Sequence, residues 1–168
     1  MTIFISLVAI LQSLSVSLGV GSSTLAIVNF FVAIADGKID ATERKMMGVV
    51  YKALRVAMVA ILVTTLGLIA LGFIYKGVMS LTAFDIAQLF VLSILFINAT
   101  LMTLRIVPST IGPALQAGSW YTLGALMALR LQGITEFTFV QFFLAYAAWL
   151  LLAIGIVNGI ISLLKKRR

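Results

Sequence analysis

The sequence predicts an all-α protein, a polytopic transmembrane bundle of five membrane-spanning helices. Hydrophobic residues make up 62% of the 168 residues, whereas charged residues make up only 10%. The mean hydropathy is +1.21, and long apolar runs are separated by short polar joints. In a bilayer, helices satisfy their own backbone hydrogen bonds, so apolar runs of this length are typical of helical spans. We therefore expect residues 1–168 to form a single integral membrane domain.

The five spans follow from the apolar runs and from the polar residues that open the helices. The spans are expected at about residues 3–35, 56–75, 86–104, 114–130 and 137–164. Residues 36–55 are expected to form a cytoplasmic helical hairpin, because Asp40 and Glu43 have the spacing of a capping box. Thr82 and Asp85 repeat that spacing before the third apolar run. Both pairs therefore predict a helix start.

The fourth span has the weakest signal of the five. Only about 16 residues separate its clearer boundaries, whereas a span normally needs about 20. It also contains polar residues such as Gln116 and Ser119, and Pro113 suits the first turn of its helix. The alternative to a full crossing is that this segment is re-entrant or is shielded from lipid by the other helices. For the fifth span, Thr135 is the expected cap and Phe137 the expected first residue.

The distribution of lysine and arginine predicts the orientation of the bundle. Positive residues near span ends are retained on the cytoplasmic side. Five spans and a cytoplasmic carboxyl terminus would place ten of the 12 basic residues on the cytoplasmic side. Only Lys76 and Arg130 would then lie on the external side. We therefore expect an external amino terminus. The expected location is a bacterial or archaeal cytoplasmic membrane.

The composition argues against most membrane-embedded chemistry. The chain has no histidine and no cysteine, which are the usual ligands of zinc, haem and iron–sulfur clusters and the usual partners in nucleophilic catalysis. Its five carboxylates all fall at expected helix ends. The segment from Asp36 to Glu43 resembles half of a calcium loop, but Val32 and Ile34 replace the opening oxygen ligands. We expect no enzymatic activity, no metal and no cofactor.

The first span carries small and polar residues on one helix face. These residues recur at steps of three and four, and they are Gln12, Ser15, Gly19, Ser22, Ala26, Asn29 and Ala33. Leu14 and Leu18 lie off this face. The pattern predicts a helix packed at the centre of the bundle. The same face could instead line a polar path, with Asn98 and Asn158 adding amides at similar depth.

Two further patterns concern the partners of the chain. Gly155 and Gly159 form a GxxxG motif in the last span, which indicates close helix packing either within the bundle or against another chain. The start of the second helix carries four basic residues, Arg44, Lys45, Lys52 and Arg55. Contact with anionic headgroups is worth about 1 kcal/mol per basic residue. The net charge of +7 therefore indicates membrane lipids, with a docked partner as the alternative, rather than nucleic acid.

Three functional hypotheses follow from these patterns. The first is a non-enzymatic membrane protein that works through helix packing, as a homo-oligomer or as a subunit of a larger membrane complex. The second is a channel or facilitator for a small uncharged solute or an ion, along the polar face of the first helix. The third is a lipid- or quinone-binding protein with an aromatic pocket. The candidate pocket residues are Trp120, Tyr121, Phe142, Tyr146 and Trp149.

Overall fold

The computed structural model describes residues 2–36, 40–76, 81–108 and 111–166. This part of the chain contains helices and no strand, which confirms the all-helical prediction. Its helices are α1 (Thr2–Asp36), α2 (Ala41–Lys76), α3 (Ala83–Thr103), α4 (Gly112–Leu131) and α5 (Phe139–Lys166). Residues 37–39 of the expected cytoplasmic hairpin and the last two arginines lie outside the described residues.

Helices α1 and α2 form one long antiparallel hairpin. They contain 35 and 36 residues, which corresponds to about 52 Å at 1.5 Å per residue, so each helix exceeds a hydrocarbon core of about 30 Å. Residues 41–55 of the expected cytoplasmic hairpin are the first turns of α2, without a break before the apolar part. The predicted capping box is present, because the Glu43 amide donates to Asp40 Oδ1 and the Asp40 amide donates to Glu43 Oε2.

Four of the described helices, α1, α2, α3 and α5, are long and apolar enough to cross a membrane. Helix α4 does not meet that criterion, although its 20 residues extend over about 30 Å. It packs against α1, α3 and α5, and much of its surface is buried, including Gln116, Ser119 and Trp120. Because the neighbouring helices cover its polar residues, α4 tolerates a composition that a lipid-exposed helix would not.

The small-residue face of α1 points into the bundle, as its spacing predicts. Gln12, Ser15, Gly19 and Ser22 are buried, whereas Leu14 is exposed. At Gly19 the indole ring of Trp120 lies so close that a Cβ atom would overlap it. The ring therefore packs directly against the α1 backbone, which only a glycine permits.

The centre of the bundle is an apolar cluster drawn from all five helices. Its buried members include Val16 of α1, Ile61 of α2, Leu95 of α3, Trp120 of α4 and Tyr146 of α5. Such packing of apolar side chains from every helix sets the lateral positions of the helices. It also separates the two ends of the bundle.

The loop between α4 and α5 differs from the prediction at the start of α5. Helix α4 ends at Leu131, and Gly133, two residues later, has a φ of +74°, a left-handed conformation suited to glycine. The expected cap at Thr135 and the expected first residue Phe137 are wrong by a few residues. Thr138 caps the helix instead, because its Oγ1 accepts from the Gln141 amide at 3.2 Å and its own amide donates to Gln141 Oε1 at 3.0 Å. The helix therefore begins at Phe139.

Candidate functional site

A polar cavity lies at the end of the bundle where α3 begins and α4 ends. Its volume is about 280 Å³, and its walls include residues of α1, α2, α3 and α4. Gln12, Thr65 and Gln88 form its deep wall, with exposed fractions of only 2%, 3% and 5%. Polar side chains buried in a membrane bundle carry a cost, so their convergence on one cavity makes this cavity the candidate functional site.

The antiparallel hairpin explains why Gln12 and Thr65 meet. Gln12 lies 24 residues before the last residue of α1, Asp36, and Thr65 lies 24 residues after the first residue of α2, Ala41. Because both helices rise by the same distance per residue, the two side chains reach the same depth. Gln88 reaches that depth from the second turn of α3.

Thr65 is the centre of the hydrogen bonds in the polar cavity. Its Oγ1 accepts from Gln12 Nε2 at 3.0 Å and from Gln88 Nε2 at 2.9 Å. A hydroxyl has two acceptor positions and one hydrogen to donate. The hydroxyl of Thr65 therefore joins side chains of α1 and α3 to α2 at the bottom of the polar cavity.

Two residues of opposite charge complete the lining of the polar cavity. Arg130 of α4 donates to Gln12 Oε1 at 3.5 Å, and its guanidinium carbon lies 5.6 Å from the centre of the Phe84 ring. Asp85 of α3 accepts from the amide and the hydroxyl of Thr82, at 3.0 and 2.7 Å. The cavity therefore combines buried neutral donors with a cation and an anion.

A second polar group, the amide cluster, lies towards the other end of the bundle. Asn98 Nδ2 donates to the Gly112 carbonyl and to Gln116 Oε1, both at 3.0 Å. These two acceptors fix the orientation of the amide, since a flipped Asn98 would face them with its own oxygen. Asn98 Oδ1 is buried and has no partner among the described residues. A cleft of about 260 Å³ lies beside Gln116 and is lined also by Tyr51 and Arg55.

An apolar layer separates the polar cavity from the amide cluster. Gln88 and Asn98 are ten positions apart on α3, which is about 15 Å along the helix. Leu92 and Leu95 lie between them and pack in the same buried cluster as Ile61 of α2. In this conformation the two polar regions are therefore not joined by an open path.

An aromatic groove of about 480 Å³ lies between α4 and α5. Tyr121, Phe142, Tyr146 and Trp149 line it, whereas Trp120 is buried in the bundle core instead. The polar atoms of three of these side chains have intramolecular partners: Tyr121 with Thr24, Tyr146 with Ser119, and Trp149 with the Gly118 carbonyl. The aromatic groove therefore presents mainly apolar surface.

The remaining residues proposed from the sequence lie apart from the polar cavity. Ser15 donates to the Leu11 carbonyl of its own helix, Gly19 and Ser22 are buried on the same face of α1, and Asn29 and Asn158 are half-buried. The GxxxG glycines face outward: a Cβ atom at Gly155 or Gly159 would meet nothing within 4 Å. The four basic residues at the start of α2 are exposed, namely Arg44, Lys45, Lys52 and Arg55.

The helical repeat predicts the buried face on which Gln12 lies. It does not predict that Gln12 meets Thr65 and Arg130, or that Gln88 meets Thr65. The available signal was that Thr65 and Gln88 are polar residues within apolar helices. The periodicity of one helix does not show which neighbouring helix its polar residues will contact.

Comparison of the chain with protein-family models, with curated proteins and with solved structures finds no match. The functional interpretation therefore depends on the geometry of the residues described above.

Proposed function

We propose that this chain is a non-enzymatic integral membrane protein that admits a small polar solute into the polar cavity and acts as a facilitator for it. The observation that carries the proposal is the convergence of Gln12, Thr65 and Gln88, all buried, on one cavity of about 280 Å³. Ligand pockets commonly have volumes of about 300 to 1,000 Å³. The volume of the cavity therefore favours a small solute.

The main alternative is that these side chains serve only to hold the helices together. Interhelical hydrogen bonds in membranes contribute about 0.6 kcal/mol on average, and packing alone would favour a closed interface. Gln12, Thr65 and Gln88 instead border an open space. Three buried polar side chains that border an open space favour a site that receives a guest.

The amide cluster supplies a second polar station for permeation. It lies about 15 Å from the polar cavity along α3, beyond the layer formed by Ile61, Leu92 and Leu95. Passage between the two stations requires this apolar layer to open. We infer that the described conformation is the closed state of the facilitator.

Flux into vesicles tests the proposal. Purified protein is reconstituted, and uptake of urea, glycerol and alanine is compared with that of protein-free vesicles. We expect protein-dependent flux of at least one of them, and we expect Thr65→Val to lower that flux about tenfold, because two buried amides lose their acceptor.

The matched control is Thr64→Val. Thr64 is also buried on α2, but its hydroxyl donates to carbonyls of its own helix, those of Ala60 and Ile61. We expect flux to be unchanged in this variant. Equal flux in wild-type and protein-free vesicles for all three solutes would refute the facilitator proposal.

Association with other chains through α5 is the second candidate function. Gly155 and Gly159 lie on the outside of the bundle, with open space where a Cβ atom would be. Two helices that meet at such glycines approach closely. This placement favours a homo-oligomer or a subunit of a membrane complex over packing within the bundle.

Native mass spectrometry with the variants Gly155→Leu and Gly159→Leu tests the association. We expect the oligomer or copurifying subunit to be lost in both, but retained in Gly21→Leu, which fills an equally open glycine position on α1. A wild-type protein that is monomeric and free of partners across detergents argues against this function.

Membrane lipids are the partners that we expect around the bundle. Arg44, Lys45, Lys52 and Arg55 are exposed on α2 and suit anionic headgroups, while the aromatic groove between α4 and α5 suits an apolar chain of a lipid or quinone. Neutralising the four basic residues should reduce retention of anionic lipids in native mass spectrometry. Retention that does not change would exclude this headgroup contact.

A further inference from the structure

The polar cavity holds two opposite charges that do not pair with one another. The contacts of the Arg130 guanidinium in the described part of the chain are Gln12 Oε1 and the ring of Phe84. Both hydrogen bonds to Asp85 come from Thr82 and end on Oδ2. Its Oδ1 atom therefore has no donor among the described residues.

Arg130 is exposed, lines the polar cavity and has N–H donors that no described residue uses. A guanidinium group has five N–H donors, and the hydrogen bond to Gln12 at 3.5 Å engages only one of its nitrogens. The Phe84 ring, itself part of the cavity lining, holds the planar group by a cation–π contact. A bidentate carboxylate or a phosphate is the partner that this donor arrangement fits best.

A ligand of one sign would not match both walls of the cavity. An anion bound by Arg130 would meet the carboxylate of Asp85 within the same small volume, and a cation bound by Asp85 would meet Arg130. A molecule that carries both charges satisfies both walls. Apolar residues such as Ile69, Phe73 and Leu81 complete the lining, which suits a short aliphatic part.

We propose that the polar cavity binds a small zwitterion, with its carboxylate or phosphate on Arg130 and its ammonium group on Asp85. This inference rests on the proposed function in that it takes the cavity to be the solute site. The same chemistry occurs in a free amino acid and in the phosphoethanolamine headgroup of a lipid. Gln12, Thr65 and Gln88 add neutral polar groups to the cavity lining.

Equilibrium binding to the full chain in detergent and in lipid nanodiscs tests the proposal. The soluble probes are alanine, phosphoethanolamine, propionate and propylamine, of which the last two carry only one of the two charges. We expect alanine or phosphoethanolamine to bind at least about tenfold more tightly than propionate and propylamine, because each charged hydrogen bond contributes to the affinity.

Two variants remove the charges, and two others serve as matched controls. Arg130→Gln and Asp85→Asn should each weaken zwitterion binding at least about tenfold. Arg44→Gln removes an exposed arginine from α2, and Glu43→Gln changes the carboxylate that occupies the same capping position in α2 as Asp85 does in α3. Binding should be unchanged in both controls.

The lipid source is distinguished by nanodiscs with and without phosphatidylethanolamine. Lipid that is retained by the wild type, lost in Arg130→Gln and competitive with phosphoethanolamine identifies the headgroup as the ligand. Alanine binding that is the same in both kinds of nanodisc identifies a soluble zwitterion. Either result supports the proposal.

Three outcomes would refute the zwitterion proposal. The first is that no probe and no phosphatidylethanolamine binds, and the second is that propionate or propylamine binds as tightly as the zwitterions. The third is that either charge-removing variant binds the zwitterion as tightly as its control does. These outcomes are separate from failure of the proposed function. Flux of urea or glycerol that depends on Thr65, without zwitterion binding, would preserve the facilitator and remove the zwitterion. Zwitterion binding without flux of any solute would support the zwitterion site and refute the facilitator.

Discussion

Gly19 decides how closely α1 and α4 approach. The Trp120 ring occupies the space that a side chain at this position would need, and the ring is completely buried, with 0% of its surface exposed. We expect Gly19→Ala to lower the free energy of unfolding by about 1 to 3 kcal/mol, which is the usual range for overpacking a core. Unfolding of the purified protein in mixed detergent micelles measures the change.

Gly21→Ala is the matched control for this substitution. It adds the same methyl group two residues further along α1, where nothing lies within 4 Å of the new atom. Alanine favours a helix over glycine by about 0.5 to 1 kcal/mol, so stability should rise or stay constant. A loss of similar size in both variants would show that the contact with Trp120 is not responsible.

Arg105 has the left-handed backbone conformation that ends α3. Its φ is +57°, and the turn is closed by hydrogen bonds from the Arg105 amide to the Met102 carbonyl and from the Ile106 amide to the Leu101 carbonyl. Left-handed conformations cost roughly 1 to 2 kcal/mol for residues other than glycine. Arg105→Gly should therefore raise the free energy of unfolding by about 1 kcal/mol in a denaturant titration.

Arg105→Ala separates the backbone effect from the charge. Alanine removes the guanidinium but keeps the Cβ atom, so it retains the strain of the left-handed conformation. We expect no comparable gain in stability. If alanine stabilises the protein as much as glycine does, the benefit comes from removal of the charge instead.

At the scale of the helix, Thr138 marks the start of α5. Its side chain and that of Gln141 exchange hydrogen bonds with the backbone amides of the first turn. Loss of such a cap costs about 1 kcal/mol, so Thr138→Ala should lower the thermal unfolding midpoint. Thr135→Ala should not, because Thr135 lies outside the helix. The reverse order of effects would place the cap at Thr135 after all.

The sequence predicts where the helices lie in the chain better than it predicts which helices pack against each other. Helix starts at Asp40 and Thr82 are correct because capping depends on residues three positions apart. The helical repeat also indicates which residues of α1 between Gln12 and Ser22 are buried. The cap at Thr138 is missed because both threonines in that loop suit an N-cap, and only the backbone geometry selects between them.

At the scale of the whole molecule, the positive residues predict which end of the bundle faces the cytoplasm. The chain has no cysteine, so a single introduced cysteine reports its own side of the membrane. We expect a thiol reagent that cannot cross membranes to label Leu131→Cys in intact cells, and to label Lys45→Cys and Ile106→Cys only after the cells are opened. This pattern follows from retention of positive residues on the cytoplasmic side.

Ile106 and Leu131 flank α4 on its two sides and are 64% and 78% exposed. They therefore report directly whether α4 crosses the membrane. Labelling of both from the same side would exclude a fifth crossing and would make α4 a shielded segment that returns to the side on which it began.

The polar cavity shows why a site assembled from several helices is hard to predict from one sequence. Gln12, Thr65, Gln88 and Arg130 come from four different helices. The period of each helix indicates which of its faces is buried. Which buried faces meet depends on the lateral order of the helices. That order is set by contacts such as the one between Gly19 and Trp120, whose two members are about 100 positions apart.

The polar composition of α4 has a consequence for how the protein is made. The helices leave the ribosome in chain order, so α4 reaches the membrane after α1 and α3 and before α5. Because α4 is not apolar enough to qualify as a span by itself, the translocation machinery should release it against those earlier helices rather than into free lipid. Biogenesis of this chain would then be cooperative, and nascent chains without α1 should leave α4 in water, where quality-control proteases can reach it.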